Sequence, residues 1–286
     1  MIEACCLRSA SRPNPKVSVL VRVKNERPAI EHFWKRLSSQ SIFSSCEVVF
    51  LDSGSSDGTL EYLMGVEASV YQIAAHDFNF GSSCNLVMQL SSAPIAVFLS
   101  GHTLLSGKED LENVYLALET KKCAALYLRQ VPNTVLGANC YEEVRLARRY
   151  PASSTAIARV ETPRGFSNAA SALTRDAWEQ NHFPDIHGSE DFEWARRHLS
   201  FGGSLFYMPS VQVMHSHPES PDGVFRRVKL NARAKGIRGS CVLATYYFVG
   251  VFFRMVLHGA APREAWQYAA AHARGYLPEG WVTMQS

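Results

Sequence analysis

The sequence predicts an α/β fold in which a mainly parallel central sheet is flanked by helices and followed by a C-terminal helical extension. Three observations predict it. Short runs rich in Val, Ile, Leu and Phe alternate with segments of helical character through the first hundred residues. Each of those runs ends in a polar cluster. The last part of the chain is basic and carries an apolar stretch, "CVLATYYFVGVFF" at 241–253, bounded by Arg238 and Arg254.

The elements follow in order. "VSVLVRV" (17–23), "EVVFLD" (47–52), "SVYQI" (69–73) and "IAVFLS" (95–100) read as strands. Each is rich in Val, Ile, Leu and Phe, as expected of strands covered on both faces. Residues 28–39 after Pro28, 58–64 after Gly58 and 81–92 read as the helices between them, and the succession argues for βαβ units. The polar clusters are Lys24-Asn25-Glu26, Asp52 to Asp57, His76 to Gly81 and Ser100-Gly101-His102. In an open parallel sheet the carboxyl ends of the strands share the edge where ligands bind. Four separate pieces of sequence are therefore expected to meet at one cleft.

Within that cleft Asp52 closes an apolar strand and needs a partner, which a base or ribose hydroxyl would supply. The small residues 53–56 let a ligand come close to the backbone. Asp57 reads equally well as the cap of the next helix and as a ligand contact. Neither GxxxxGK[ST] nor GxGxxG occurs, so the P-loop and dinucleotide-binding readings lose their main support.

Further along, "YEEVRLARRYP" has the charge spacing of a solvated helix. "GFSNAASALTRDAW" reads as a small-residue loop or strand entering a helix. "HGSEDFEWARRHL" (187–199) reads as a helix opening on acidic residues, which the helix dipole favours. In "VQVMHSH", Val213, His215 and His217 share one face of an extended strand.

Composition bounds the rest. The chain has 286 residues, of which 47% are hydrophobic, enough to bury a substantial core. With 29 Lys and Arg against 26 Asp and Glu it lacks the charge excess of a dedicated nucleic-acid binder. The excess it has is concentrated: residues 222–275 hold nine basic and two acidic side chains. Seven scattered cysteines form neither CxxC pairs nor a disulfide framework, which suggests a reducing compartment. The N-terminus has no apolar signal-peptide core, and a cytoplasmic location is expected. The stretch at 241–253 is shorter than the roughly 20 residues needed to span a bilayer. It reads either as a buried helix or as a helix lying on the inner face of an anionic membrane, a peripheral contact through the extension. The expected organisation is a flexible N-terminus (1–15), a main domain (16–220, with halves 16–103 and 104–220) and the basic, apolar extension (221–286).

Taken together, "VSVLVRVKNE", "VVFLDSGSSDGTLEYL", "FNFGSSCN", "GFSNAASALTRDAWE", "EDFEWARR" and "VMHSH" resemble, in order and spacing, the family 2 glycosyltransferases of the GT-A fold, particularly bacterial polysaccharide and rhamnosyl-type transferases. The resemblance runs from about residue 16 to 217. It implies an inverting transfer from a nucleotide-sugar donor to a glycan or lipid-linked acceptor. It places Arg22, Asn25, Glu26, Asp52, Ser53, Asp57, Asn79, Gly81, Asn85, Ser100 and His102 around the donor, and Asn168 and Trp194 beside the acceptor. Asp191 becomes the general base, with Glu190 its neighbour. Such a transfer needs an ionised carboxylate to take the acceptor's proton, and an aspartate with a pKa of about 3.9 is ionised at neutral pH.

The chain departs from the family where an Asp-containing triplet usually holds a divalent cation on the diphosphate. Here that triplet reads Ser100-Gly101-His102. Mg²⁺ prefers oxygen ligands and histidine suits Mn²⁺ or Zn²⁺ better, so a divalent cation (Mn²⁺ or Mg²⁺) is left open, with His102 and His215 as its candidate ligands. The altered triplet also favours a second reading, a catalytically silent GT-A module that binds a sugar nucleotide, glycan or partner protein. The Glu190-Asp191 pair opposes it. A nucleotidyltransferase would want a glycine-rich loop after the first strand, and "RVKNERP" contains no glycine.

Overall fold

The structure, a computed structural model, describes residues 3–10, 12–120, 123–133, 137–216, 219–234 and 236–278. The chain divides into two compact units, residues 1–131 with 149–215, and residues 132–148 with 216–286.

The first unit is built on one sheet. Its strands are β1 (Cys5–Arg8), β2 (Val17–Val23), β3 (Cys46–Asp52), β4 (Ser69–Gln72), β5 (Ile95–Ser100), β6 (Leu104–Leu105), β7 (Ala125–Val131), β8 (Ala158–Val160), β9 (Ala170–Thr174) and β10 (Leu205–Met214). They lie in the order β1-β4-β3-β2-β5-β9-β7-β10-β6, with β8 also pairing to β10. The helices of the chain are α1 (Ala29–Ser38), α2 (Thr59–Leu63), α3 (Phe80–Gln89), α4 (Asp110–Thr120), α5 (Cys140–Arg149), α6 (Arg175–Gln180), α7 (Glu190–Ser200), α8 (Pro221–Ala234), α9 (Cys241–Leu257) and α10 (Pro262–Arg274).

The α/β class is as expected, and the four N-terminal strands β4-β3-β2-β5 are parallel. Every residue of β2 except Arg22 is buried, as expected of a strand covered on both faces. On α1, Ile30, Phe33 and Leu37 recur at helical spacing and are buried in the same core as Val17, Val19 and Val21. Each such side chain contributes roughly 1.5–3 kcal/mol.

The sheet as a whole is mixed rather than mainly parallel. β9 inserts antiparallel between β5 and β7, β6 and β8 run antiparallel to β10, and only β10 with β7 returns to parallel pairing. The alternation that predicts parallel strands stops near residue 100. Beyond it, direction is set by which neighbour has an edge to offer.

The N-terminus also differs from expectation. Cys5–Arg8, placed by sequence in a flexible segment, form an edge strand antiparallel to β4. Ala10 N–H donates to Ser69 Oγ, and Arg12 pairs with Glu67 at 3.1 Å. β1 covers the backbone groups that β4 would otherwise leave unpaired.

The second unit differs from the expected extension at 221–286 because it is discontinuous. Tyr141 of α5 joins Val224, Val228, Val251, Met255, Ala265 and Ala269 in its own apolar core. α9 does not fit the expectation of a fully buried helix at 241–253: Ala244, Val251 and Met255 are buried, whereas the opposite side is exposed.

Candidate active site

The strand order locates the crevice. From β2 the chain steps outward to β3 and β4, then returns to the other side of β2 as β5. The ends of β2 and β5 therefore flank a topological switch point, where open α/β sheets bind ligands.

Across that point the Glu26 carboxylate accepts a hydrogen bond from His102 Nδ1 at 2.9 Å. His102 Nε2 lies 3.1 Å from His215 Nε2, so one imidazole donates to the other, and the rings stack with centroids 5.0 Å apart. His215 Nδ1 lies 2.7 Å from the Gln130 side-chain amide. The meeting of the two histidines follows from strand register. Leu104 pairs with Met214 and Leu105 with Val213, so the chain just before β6 and the chain just after β10 come together. His217 lies outside the described residues. Gly101 lets the two loops approach: a Cβ there would stand 3.0 Å from Val23 Cγ1, 3.1 Å from Glu26 Cγ and 3.2 Å from Ile30 Cδ1.

The second polar cluster locks onto the first. Asn25, in the left-handed region at φ 56°, accepts from Ser56 N–H through its side chain and donates its own N–H to Ser55 Oγ. Glu26 N–H donates to Thr59 Oγ1, and Ser53 N–H donates to the Val23 carbonyl. Asp52 is fully buried, and its carboxylate accepts from Gly54 N–H, Ser55 N–H and Gln72 Nε2. Asp57 accepts from Arg27 N–H and Thr59 N–H. Desolvation opposes ionisation of Asp57, but these hydrogen bonds prevail and hold its carboxyl below the usual range. The side chains expected to meet the donor here thus already satisfy one another, and they shape the rim through the backbone.

The third cluster joins α3 to the chain before α7. Asn79 caps α3, its side-chain oxygen accepting from Gly81 N–H and Ser82 N–H. A Cβ at Gly81 would meet the Pro184 carbonyl oxygen at 1.6 Å, so glycine is required for this crossing. Asn85 donates to the Phe183 carbonyl and accepts from Phe183 N–H and Trp178 Nε1. Asn79, Gly81 and Asn85 therefore hold the scaffold in the place where donor contacts were expected of them.

Arg22 is the bolt between these parts. One Nη donates to the Phe80 carbonyl at 2.8 Å and to Ser83 Oγ at 3.1 Å, and the other lies 3.4 Å from Glu190 Oε1. Because Arg22 pairs in register with Ser100, this contact sets the first turn of α7 at the carboxyl end of β2. Glu190 also accepts from Asn168 Nδ2 at 3.4 Å, and Asn168 reaches Cys84 Sγ and Ser171 Oγ. Burial and the neighbouring Asp191 push the Glu190 carboxyl above the ordinary glutamate range, against the pull of Arg22. Burial likewise keeps the Cys84 thiol protonated. Asp191 is half-buried and accepts Phe192 N–H at 2.6 Å; among the described residues it makes no ion pair.

Trp194 corrects the expectation of an acceptor contact. It is 0% exposed, stacked on Phe166, Phe183 and His198, and donates to the Asn181 carbonyl. Its place in the helical register of α7 faces Phe166 and Phe183, away from solvent. Sequence reasoning also passed over Glu26 with His102 as a pair, Cys84 as a partner of Asn168, and Gln130 altogether. Gly101 alone carried a signal, as the small residue between two polar ones.

The imidazole pair can be tested as a cation site. Two nitrogen donors suit Mn²⁺ better than Mg²⁺, and a cation would take the place of the proton they share. Among the described residues no group of three or more His, Cys, Asp or Glu side chains is arranged around a metal position. The pair would supply two nitrogen ligands to such a cation, whose remaining ligands would have to come from elsewhere.

Comparison with known proteins defines the class. Residues 18–156 match the model of glycosyl transferase family 2. Over 225 residues the chain is 23% identical to the O-antigen chain rhamnosyltransferase WbaN of Salmonella anatum, covering 74% of this chain and 70% of that protein. The fold is shared with the mannosyltransferase PcManGT from Pyrobaculum calidifontis, solved with GDP-Man and Mn²⁺ (TM-score 0.58, 20% identity, 94% of this chain and 72% of that one). It is also shared with S. aureus TarS 1-349, solved with UDP (TM-score 0.57, 14% identity, 94% and 92%). The chain is a relative of the family 2 glycosyltransferases with the GT-A fold, and it resembles the bacterial polysaccharide transferases among them.

Proposed function

We propose that this chain is an inverting glycosyltransferase that moves a hexosyl or deoxyhexosyl group from a nucleotide sugar to a glycan or lipid-linked acceptor in the synthesis of a bacterial surface polysaccharide. The likeness to a rhamnosyltransferase supports the deoxyhexosyl side of that range. One observation carries the mechanism. Glu190 is held by Arg22 and Asn168 at the carboxyl end of β2, while its neighbour Asp191 keeps a half-buried carboxylate that feels the Arg22 charge without forming an ion pair among the described residues.

On this reading the nucleotide lies over the interlocked loops 24–27 and 52–59, and the sugar lies towards α7. The acceptor hydroxyl approaches from the side of Asp191, which takes its proton as the new glycosidic bond forms. Glu190, fixed by its partners, orients that turn of the helix. Charge gathers on the departing nucleotide, and opening the Nε2–Nε2 contact of the His102–His215 pair would free an imidazole N–H to donate to it. A divalent cation held there by His102 and His215 would neutralise the same charge.

Asp191→Asn tests the assignment. Transfer should fall by about 10²–10⁴-fold, the range typical of a lost general base, while calorimetry shows donor binding unchanged. Nucleotide release that is equally slow in wild type and variant would overturn it in favour of a silent sugar-nucleotide-binding module.

A further inference from the structure

α9 is apolar around most of its circumference but spends only one side on its own unit. Ala244, Val251 and Met255 are buried. On the opposite side Val242 (82% exposed), Tyr246 (64%), Val249, Phe253 (58%), Val256 and Leu257 (86%) stand in solvent. Their spacing places them in one stripe over roughly 100° of the helix. Trp266 of α10, 59% exposed, packs edge-on against Phe248 at 4.7 Å and widens the stripe. A contiguous apolar face of this kind marks an interaction site.

The surroundings select the partner. Arg238 lies just before the Ser240 cap of α9, Arg254 on its flank, and Arg263 one turn ahead of Trp266. No Asp or Glu occurs anywhere from residue 223 to 263. α8, which packs on α10, carries Arg226 and Arg233 on its own exposed side, with Leu230 between them. Aromatic and aliphatic groups framed by cations that outnumber the nearby acids, Glu264 and the Glu143 paired with His258, complement an anionic interface. They are poorly suited to a second copy of the same face, whose arginines would repel. Crossing a bilayer is ruled out by length. The 17 residues of α9 reach about 25 Å at a rise of ~1.5 Å each, short of the roughly 30 Å hydrocarbon core, and no described helix is long and apolar enough to cross a membrane.

We infer that the exposed face of α9, with Trp266, is a membrane-docking surface that lies in the plane of an anionic bilayer, its apolar stripe among the acyl chains and its arginines at the headgroups. This binding is independent of the chemistry assigned to Asp191. It would hold the enzyme at the surface where a lipid-linked acceptor resides.

Co-sedimentation of the full chain with phosphatidylcholine vesicles, with and without phosphatidylglycerol, tests the inference. The chain should bind the anionic vesicles, lose binding as salt is raised, and bind the zwitterionic vesicles more weakly. The triple variant Tyr246→Ser, Val249→Ser, Phe253→Ser should lower partitioning by about tenfold or more. The rim variant Arg238→Glu, Arg263→Glu should remove the preference for phosphatidylglycerol. Both should keep wild-type nucleotide-sugar turnover in solution, which also confirms that they fold. Wild type left in the supernatant with anionic vesicles, or a triple variant that binds as wild type does, overturns the inference. So does a concentration-dependent dimer that the triple variant abolishes when no vesicle binding is seen.

Discussion

Glu190 and Asp191 are adjacent in sequence and opposite in circumstance. Glu190 is surrounded by Arg22, Asn168 and buried chain, while Asp191 looks outward from the same turn. The raised pKa of Glu190, caused first by burial and then by Asp191, has a defined sign in stability. A carboxyl that holds its proton more tightly when folded supports the folded state fully below the ordinary glutamate range, and that support is lost as pH rises through the raised value. Wild type should therefore lose stability relative to Glu190→Gln over that interval, on top of a constant offset from the weakened Arg22 pair. Denaturant midpoints of the two proteins measured across pH would reveal it, and parallel curves would refute it. The acidic pair itself was legible in "EDFEWARR". Which carboxylate is buried was not, because the partners come from β2 and from the segment before β9, far away in the chain.

At the scale of elements, α3 and its cap show how a motif can be right in place and different in role. Asn79 was expected near the donor, but its side chain satisfies two N–H groups of the first turn of α3. Asn79→Ala should cost about 1 kcal/mol of stability, as lost caps do, and leave donor affinity unchanged. Chemical denaturation and calorimetry on the same variant separate the two roles. A large loss of affinity with little loss of stability would return Asn79 to the donor site. The strands β2 to β5 and helices α1 to α3 were legible because each is long enough to carry its period or lies between clear turn signals. β1, β6 and β8 were not, since each has four residues or fewer and is defined by the neighbour it pairs with. β6 matters most among them, since its register with β10 brings His102 and His215 together.

For the whole molecule, the division into units decides what can be cut. The second unit takes α5 from the middle of the chain, and Tyr141 packs in the same core as Val224, Val228 and Met255. A protein ended at residue 215 should expose that apolar side of α5 and be poorly soluble, with a lower melting temperature than the full chain. Size-exclusion chromatography and thermal melting would check this, and a monomeric fragment melting as the full chain does would show that the units are independent. The sequence by itself determined the α/β class, the carboxyl-end edge on which the polar clusters gather, the acidic start of α7 and the basic, apolar character of the C-terminal region. These depend on local period and composition, which the chain carries wherever it is read. Only the tertiary structure decided the antiparallel entry of β9, the Glu26–His102–His215 contacts, the burial of Trp194 and the exposed side of α9. Each depends on which distant backbone supplies a partner, and side-chain period is indifferent to that choice.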